Sequence, residues 1–228
     1  MDRNPILCAI DTPDLARASA LVTALVGAVG GVKLGLEFFA AHGPEGVHRV
    51  AGTATDVFLD LKLHDIPYTV AGAVRAALPL DPLFLTLHAT GGEAMMRAAV
   101  EARGARRTKL LGVTVLTSLD ETDLAATGQA GPVAEQVRRL ALLAQAAGFD
   151  GVVCSPQEVA MLRTACGKDF LLVVPGIRPA GTALGDQKRV QTPRDAVAAG
   201  ADYLVIGRPI TAADDPAAAT RAILDELS

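Results

Sequence analysis

Apolar and polar positions along this chain recur as short apolar runs, each giving way to a stretch of helical period. Residues 6–11, ILCAID, form an apolar run closed by an acid, and Thr12 or Asp14 stands where a helix cap is needed. Leu15, Ala18, Leu21, Val22 and Leu25 then recur at helical spacing. After Gly30 and Gly31, Val32, Leu34 and Leu36 alternate with Lys33 and Gly35, and a helix is predicted over residues 45–51. Val57, Phe58, Leu59, Leu61 and Leu63 predict a buried strand, whose period of two puts Asp60 and Lys62 on one side. Asp65 is the expected helix-start residue before Pro67, and Ala71, Val74 and Ala77 carry that helix toward Pro79.

The same cycle repeats to the end of the chain. LFLTLHATGG, from residue 83, is a strand ending at His88 and a small-residue turn into a helix with Met95 and Met96 as core filler. The fifth strand is predicted over residues 109–118, ending in Thr117 and Ser118, and residues 119–131 are polar and helix-poor, a functional loop or a surface excursion. A helix follows from Val133, then a strand over 150–155, a helix over 157–167 and a strand over 170–176. From Ile177 the periodicity is lost: Arg178, Gly181, Gly185, Gln187, Lys188 and Arg189 mark a long loop with glycine hinges and basic tips. An eighth strand over 203–209 and a closing amphipathic helix complete the series. Eight strand–helix units in 228 residues, with no linker or composition shift, predict a single-domain α/β fold, a (β/α)8 TIM barrel over residues 1–228.

In such a barrel the strand C-termini and the loops after them form the active face. The charged and hydroxyl residues fall there from independent units: Asp11, Lys33, Asp60, Lys62, Thr117, Ser118, Arg178 and Arg208. Asp60, Lys62 and Asp65 by themselves could be a structural ion pair at a strand end; convergence of the other loops on the same mouth favours a reaction site. Gly176, Gly185 and Gly207 let backbone N–H groups approach an anion, Arg208 can pair with it bidentately and Gln187 adds a neutral donor, so a phosphorylated small molecule is expected. No Walker or dinucleotide fingerprint stands in a suitable place, so neither a nucleoside triphosphate nor a dinucleotide is invoked.

Composition supports this picture. The chain is 50% hydrophobic but only 4% aromatic, without Trp, which suits parallel strands under Ala-rich helices. A net charge of −4 argues against a general nucleic-acid surface, and no apolar run approaches the roughly 20 residues of a membrane span. The start of the chain leads straight into a strand, so a cytoplasmic protein is expected. Cys8, Cys154 and Cys166 read as buried thiols, His88 as a wall residue, and no histidine shows metal-ligand spacing, so no metal is assigned.

The stretch DLKLHDIP, with AID and VKLG before it, LTS in the middle and PGIRP, GDQKR and IGRPI near the end, resembles the orotidine 5'-phosphate decarboxylase family from Asp11 to about Pro209. The resemblance implies that Lys62 is the proton donor, Asp60 its neighbour against the substrate carboxylate and Lys33 the second cation of an alternating array. It implies that Asp65, Ile66 and Thr69 reach the site of a second subunit in a homodimer, and that no cofactor is used. Asp11 would bind the ribose, Thr117 and Ser118 would flank the pyrimidine, and Arg178, Gln187, Gly207 and Arg208 would hold the phosphate of orotidine 5'-phosphate. Mg²⁺-dependent relatives on the same barrel, 3-keto-gulonate-phosphate decarboxylase and hexulose-phosphate synthase, share a DxKxxD pattern but usually continue it differently from Asp65-Ile66-Pro67. A non-catalytic barrel that binds a phosphorylated ligand is the alternative from outside enzymology.

Overall fold

The computed structural model describes residues 4–52, 55–129, 131–179 and 191–227. Eight parallel strands close into a barrel in sequence order, with β8 pairing back to β1. They are β1 (Ile6–Ile10), β2 (Gly31–Gly35), β3 (Val57–Leu63), β4 (Phe84–His88), β5 (Lys109–Val113), β6 (Gly151–Val153), β7 (Leu171–Val174) and β8 (Tyr203–Ile206). The helices are α1 (Leu15–Leu25), α2 (Leu36–Ala51), α3 (Pro67–Ala77), α4 (Gly92–Arg103), α5 (Glu121–Ala126), α6 (Val133–Ala146), α7 (Val159–Cys166), α8 (Pro193–Ala198), α9 (Arg208–Thr211) and α10 (Pro216–Asp225). No helix among the described residues is long and apolar enough to cross a membrane.

Alternation along the strands divides the core into two layers. Leu7, Ala9, Phe58, Phe84, Leu111, Val173 and Val205 belong to the cluster inside the barrel, whereas Ile6, Cys8, Ile10, Leu59 and Leu85 pack outward with the helices. Phe84 fixes the interior, edge-on to Phe58 at 5.7 Å and to Tyr203 at 5.0 Å. Phe58, Phe84 and Tyr203 are the aromatics of the interior, whereas Phe38, Phe149 and Phe170 pack in the outer layer with the helices. The three cysteines are buried and free, as their apolar settings imply, and burial pushes the Cys8 thiol up to about 12.

Several boundaries differ from the sequence reading. β5 stops at Val113, five residues short of Ser118, because its partner β6 is only three residues long and offers no ladder beyond Val153. The stretch over 119–131 is not helix-poor: it contains α5, closed at its start by a reciprocal capping box between Asp120 and Asp123. Asp65 does not cap α3. Ile66 occupies the cap position, and Asp65 instead accepts from the Ile66 N–H at 2.6 Å. α2 begins at Leu36, well before residue 45, and is broken at Gly43, whose φ of 59° suits a residue without a Cβ. At α1 the cap is Asp14, whose carboxylate accepts from the Ala16 and Arg17 N–H groups.

Candidate active site

The C-terminal mouth of the barrel holds a cavity of about 420 Å³. Asp11, Lys33, Asp60, Lys62, Thr117, Arg178, Gly207 and Arg208 line it, together with apolar side chains from β3, β5, β6 and β8. Residues predicted from six separate strand–loop units therefore share one chamber. A smaller recess beside it, about 200 Å³, shares Asp11, Lys33, Asp60 and Lys62 and extends along Gly35, Leu36, Glu37 and Phe38.

Charge is ordered within the chamber. Asp60, 9% exposed, is held midway along β3 between two ammonium groups: Lys62 Nζ donates to its Oδ2 at 2.7 Å and Lys33 Nζ stands 3.6 Å from the same oxygen. Lys33 reaches on to Asp11 Oδ1 at 3.1 Å. The other carboxylate oxygen of Asp60 accepts from the Thr86 hydroxyl at 2.9 Å. Burial acts to raise the Asp60 carboxyl, but Lys33, Lys62 and the hydrogen bonds from Lys62 and Thr86 outweigh it and hold the group below the usual carboxylate range. The result is a line of alternating sign, Asp11, Lys33, Asp60, Lys62, whose acids compensate the partly desolvated cations.

Two features of this line go beyond period-two alternation. Lys62 has φ 49°, a left-handed backbone uncommon for a residue with a side chain, and the β3–β4 register shifts between Leu59 and Leu63. The alternation nevertheless leaves Asp60 and Lys62 in contact, as expected. Gly35 is placed so that an added Cβ would lie 3.3 Å from Lys33 Nζ, so its lack of a side chain leaves the lysine its room.

Other predicted residues lie elsewhere. Ser118 is exposed and does not line the chamber, a consequence of the early end of β5. Asp65, Ile66 and Thr69 are exposed at the start of α3, outside the chamber of their own chain. Gln187 lies outside the described residues. His88 is half-buried in the wall beside His64, with ring centroids 5.4 Å apart; burial first, then His64 and Lys62, depress its imidazole below the ordinary value. Among the described residues no three His, Cys, Asp or Glu side chains come together as a metal-ligand set.

Sequence reasoning missed Thr86, Gly35, Cys154 and Pro175. Thr86 left a readable signal: a lone hydroxyl inside LFLTLH, on the inward face it shares with Phe84.

Comparison with known proteins identifies the family. The family model for the "Orotidine 5'-phosphate decarboxylase / HUMPS family" matches residues 4–223. The chain belongs to that family. Within the family it is 55% identical, over 235 residues covering 100% of this chain and 95% of the relative, to a Rhodospirillum rubrum protein named orotidine 5'-phosphate decarboxylase. A protein of the same name from Thermobifida fusca is 56% identical over 224 residues, 98% of this chain and 95% of that one. The crystal structure of orotidine 5'-phosphate decarboxylase from Lactobacillus acidophilus superposes with a TM-score of 0.87 at 38% identity, covering 99% of each chain. That from Pyrococcus horikoshii, at 23% identity and a TM-score of 0.78 over 97% of this chain and 98% of the other, shares the fold.

Proposed function

We propose that this protein is an orotidine 5'-phosphate decarboxylase, a carboxy-lyase that converts orotidine 5'-phosphate to uridine 5'-phosphate and carbon dioxide without a cofactor, in pyrimidine synthesis. The observation that carries the reading is the alternating Asp11, Lys33, Asp60, Lys62 line in a chamber that Arg178 and Arg208 also line. Membership of the family and the names of the relatives support it from a separate direction.

Chemistry follows from the charges. The bond between the ring carbon and its carboxylate breaks, carbon dioxide leaves, and the electron pair remains on the ring carbon in the plane of the ring, where it does not delocalise as an enolate would. A fixed ammonium beside that carbon stabilises the growing charge and then supplies the proton that forms the new C–H bond. Lys62 has this role; it is anchored at 2.7 Å by Asp60, on the side of the chamber formed by β3. Lys33 completes the array, binding Asp11 at the ribose side. Repulsion of the departing carboxylate by Asp60 is a second contribution in the same direction.

Binding is divided from chemistry. Arg178 and Arg208, with the backbone at Gly207, receive the phosphate, joined by Gln187 from outside the described residues. Thr117 lies against the pyrimidine in the chamber, and Ser118 reaches the base only on rearrangement of the segment after β5. Binding energy from the remote phosphate then serves to exclude water and orient the ring.

The working unit is a cytoplasmic homodimer of single-domain barrels in which Asp65, Ile66 and Thr69 face the partner's site. The exposure of Ile66 at 64% and Tyr68 at 83%, adjoining apolar residues at the start of α3, supports an interface there. A spectrophotometric assay tests the activity: loss of the orotate chromophore on addition of orotidine 5'-phosphate, unchanged by EDTA. A rate abolished by EDTA and restored by Mg²⁺ would point instead to the metal-dependent chemistry of the barrel's relatives.

A further inference from the structure

The register of β3 against β4 singles out one side chain. Leu59 pairs with Leu85 and Leu63 with Leu87, so Asp60, Leu61 and Lys62 on β3 stand opposite a single residue of β4, Thr86. Such a bulge leaves backbone groups without their ladder partners. Here the Lys62 N–H is satisfied by a side chain: it donates to Thr86 Oγ1 at 2.9 Å. Thr86 is fully buried, and its hydroxyl in turn lies 2.9 Å from Asp60 Oδ1.

Proton direction along this chain is fixed by chemistry. A backbone N–H only donates and a carboxylate only accepts, so the hydroxyl must accept from Lys62 N and give its own proton to Asp60 Oδ1. That occupies one carboxylate oxygen and leaves Oδ2 for both ammonium groups. The same hydroxyl braces the Lys62 backbone in its left-handed conformation, φ 49°, which persists only where the surrounding structure holds it.

We propose that Thr86 is a positioning residue for decarboxylation, its hydroxyl the link that locks the backbone of Lys62 and the carboxylate of Asp60 into one rigid unit. The proposal rests on the decarboxylase reading for its kinetic consequence but not for its structural one. Thr86 does not line the chamber and acts only through its two partners. The charged and titratable groups around Asp60 are Lys62 on β3, Lys33 on β2 and His88 on β4, with Asp11 reached through Lys33.

Two variants separate hydroxyl from shape. Thr86→Val keeps the volume and removes the hydroxyl; Thr86→Ser keeps the hydroxyl and removes a methyl. With orotidine 5'-phosphate, Thr86→Val should lose about 10- to 100-fold in kcat/KM, the size of one charge-assisted hydrogen bond, mostly in kcat. The acid limb of its pH profile should move to higher pH, since the carboxylate has lost a donor. Thr86→Ser should restore both to within a few-fold of the unmodified enzyme.

Readouts that need no turnover are the ¹³C titration of the Asp60 carboxyl and hydrogen exchange at the Lys62 amide. Both should shift in Thr86→Val, upward in titration and faster in exchange, and return in Thr86→Ser. Full activity and an unmoved titration in a folded Thr86→Val would overturn the proposal. A loss of about ten-fold or more in a folded Thr86→Ser would also overturn it, because the methyl rather than the hydroxyl would then matter; this criterion needs no comparison with Thr86→Val and decides should that variant not fold. Absence of turnover in the unmodified protein would refute the decarboxylase reading and leave the titration and exchange to judge Thr86.

Discussion

Replacing Asp60 with Asn tests the electrostatic construction of the chamber without reference to turnover. The substitution keeps the shape but removes the charge shared by Lys33 and Lys62, whose side chains are only 12% and 28% exposed. Removing one partner from a buried pair costs about 3–5 kcal/mol because a charge is left uncompensated. Lys62 retains some water and Lys33 retains Asp11, so the lower end, about 3 kcal/mol, is expected. For a chain of this size that corresponds to a fall of about 6–12 °C in Tm at neutral pH. Its pH dependence follows from the depressed folded-state value of Asp60: the unfolded chain takes up its proton first as pH falls. The stabilisation is therefore complete above the ordinary carboxyl value of 3.8 and disappears as pH drops through the lower folded value. Thermal melts of the unmodified protein and Asp60→Asn, at one protein concentration and from neutral to acid pH, should show two curves that converge in acid. Equal stability at pH 7, or a gap that persists below the folded value, would refute the placement of Asp60 as the counter-ion of both lysines.

Three further outcomes follow from the geometry. Arg208→Ala should mainly raise KM, by about 100-fold, as expected for loss of one strong charge-assisted contact to the phosphate; steady-state kinetics with a fall only in kcat would contradict a binding role. Gly35→Ala should leave the melting curve nearly unchanged yet reduce kcat/KM several-fold, since the new methyl would sit 3.3 Å from Lys33 Nζ and must displace it. Unaltered kinetics would show that Lys33 tolerates displacement. Ile66→Asp should shift sedimentation from dimer to monomer and lower activity in proportion; an unchanged dimer would place the interface away from the start of α3.

Sequence periodicity was enough to count the eight cycles and to place the charged residues at strand ends, because a parallel barrel imposes alternation on every strand. Asp60 and Lys62 could be paired from β3 alone. The bulge could not, since register belongs to two strands and the extra residues of β3 are visible only against Leu85 and Leu87 of β4. Thr86 was overlooked for the same reason: one hydroxyl among leucines reads as a strand residue until the strand it faces is known. Ser118 shows the opposite error, in which a run of β-favouring residues, GVTVLTS, outlasts the neighbour that could pair with it. α5 was missed although DETD carries its capping box, because Leu124 is its only buried residue and short helices held by caps leave little hydrophobic period.

The most direct measurement is decarboxylation of orotidine 5'-phosphate by the purified protein and by Lys62→Ala, side by side and with EDTA present. The unmodified protein should consume the orotate chromophore at an undiminished rate, while the variant, folded by circular dichroism, should show turnover reduced by many orders of magnitude. A folded Lys62→Ala that turns over substrate at a near-normal rate would contradict the assignment of Lys62 as proton donor.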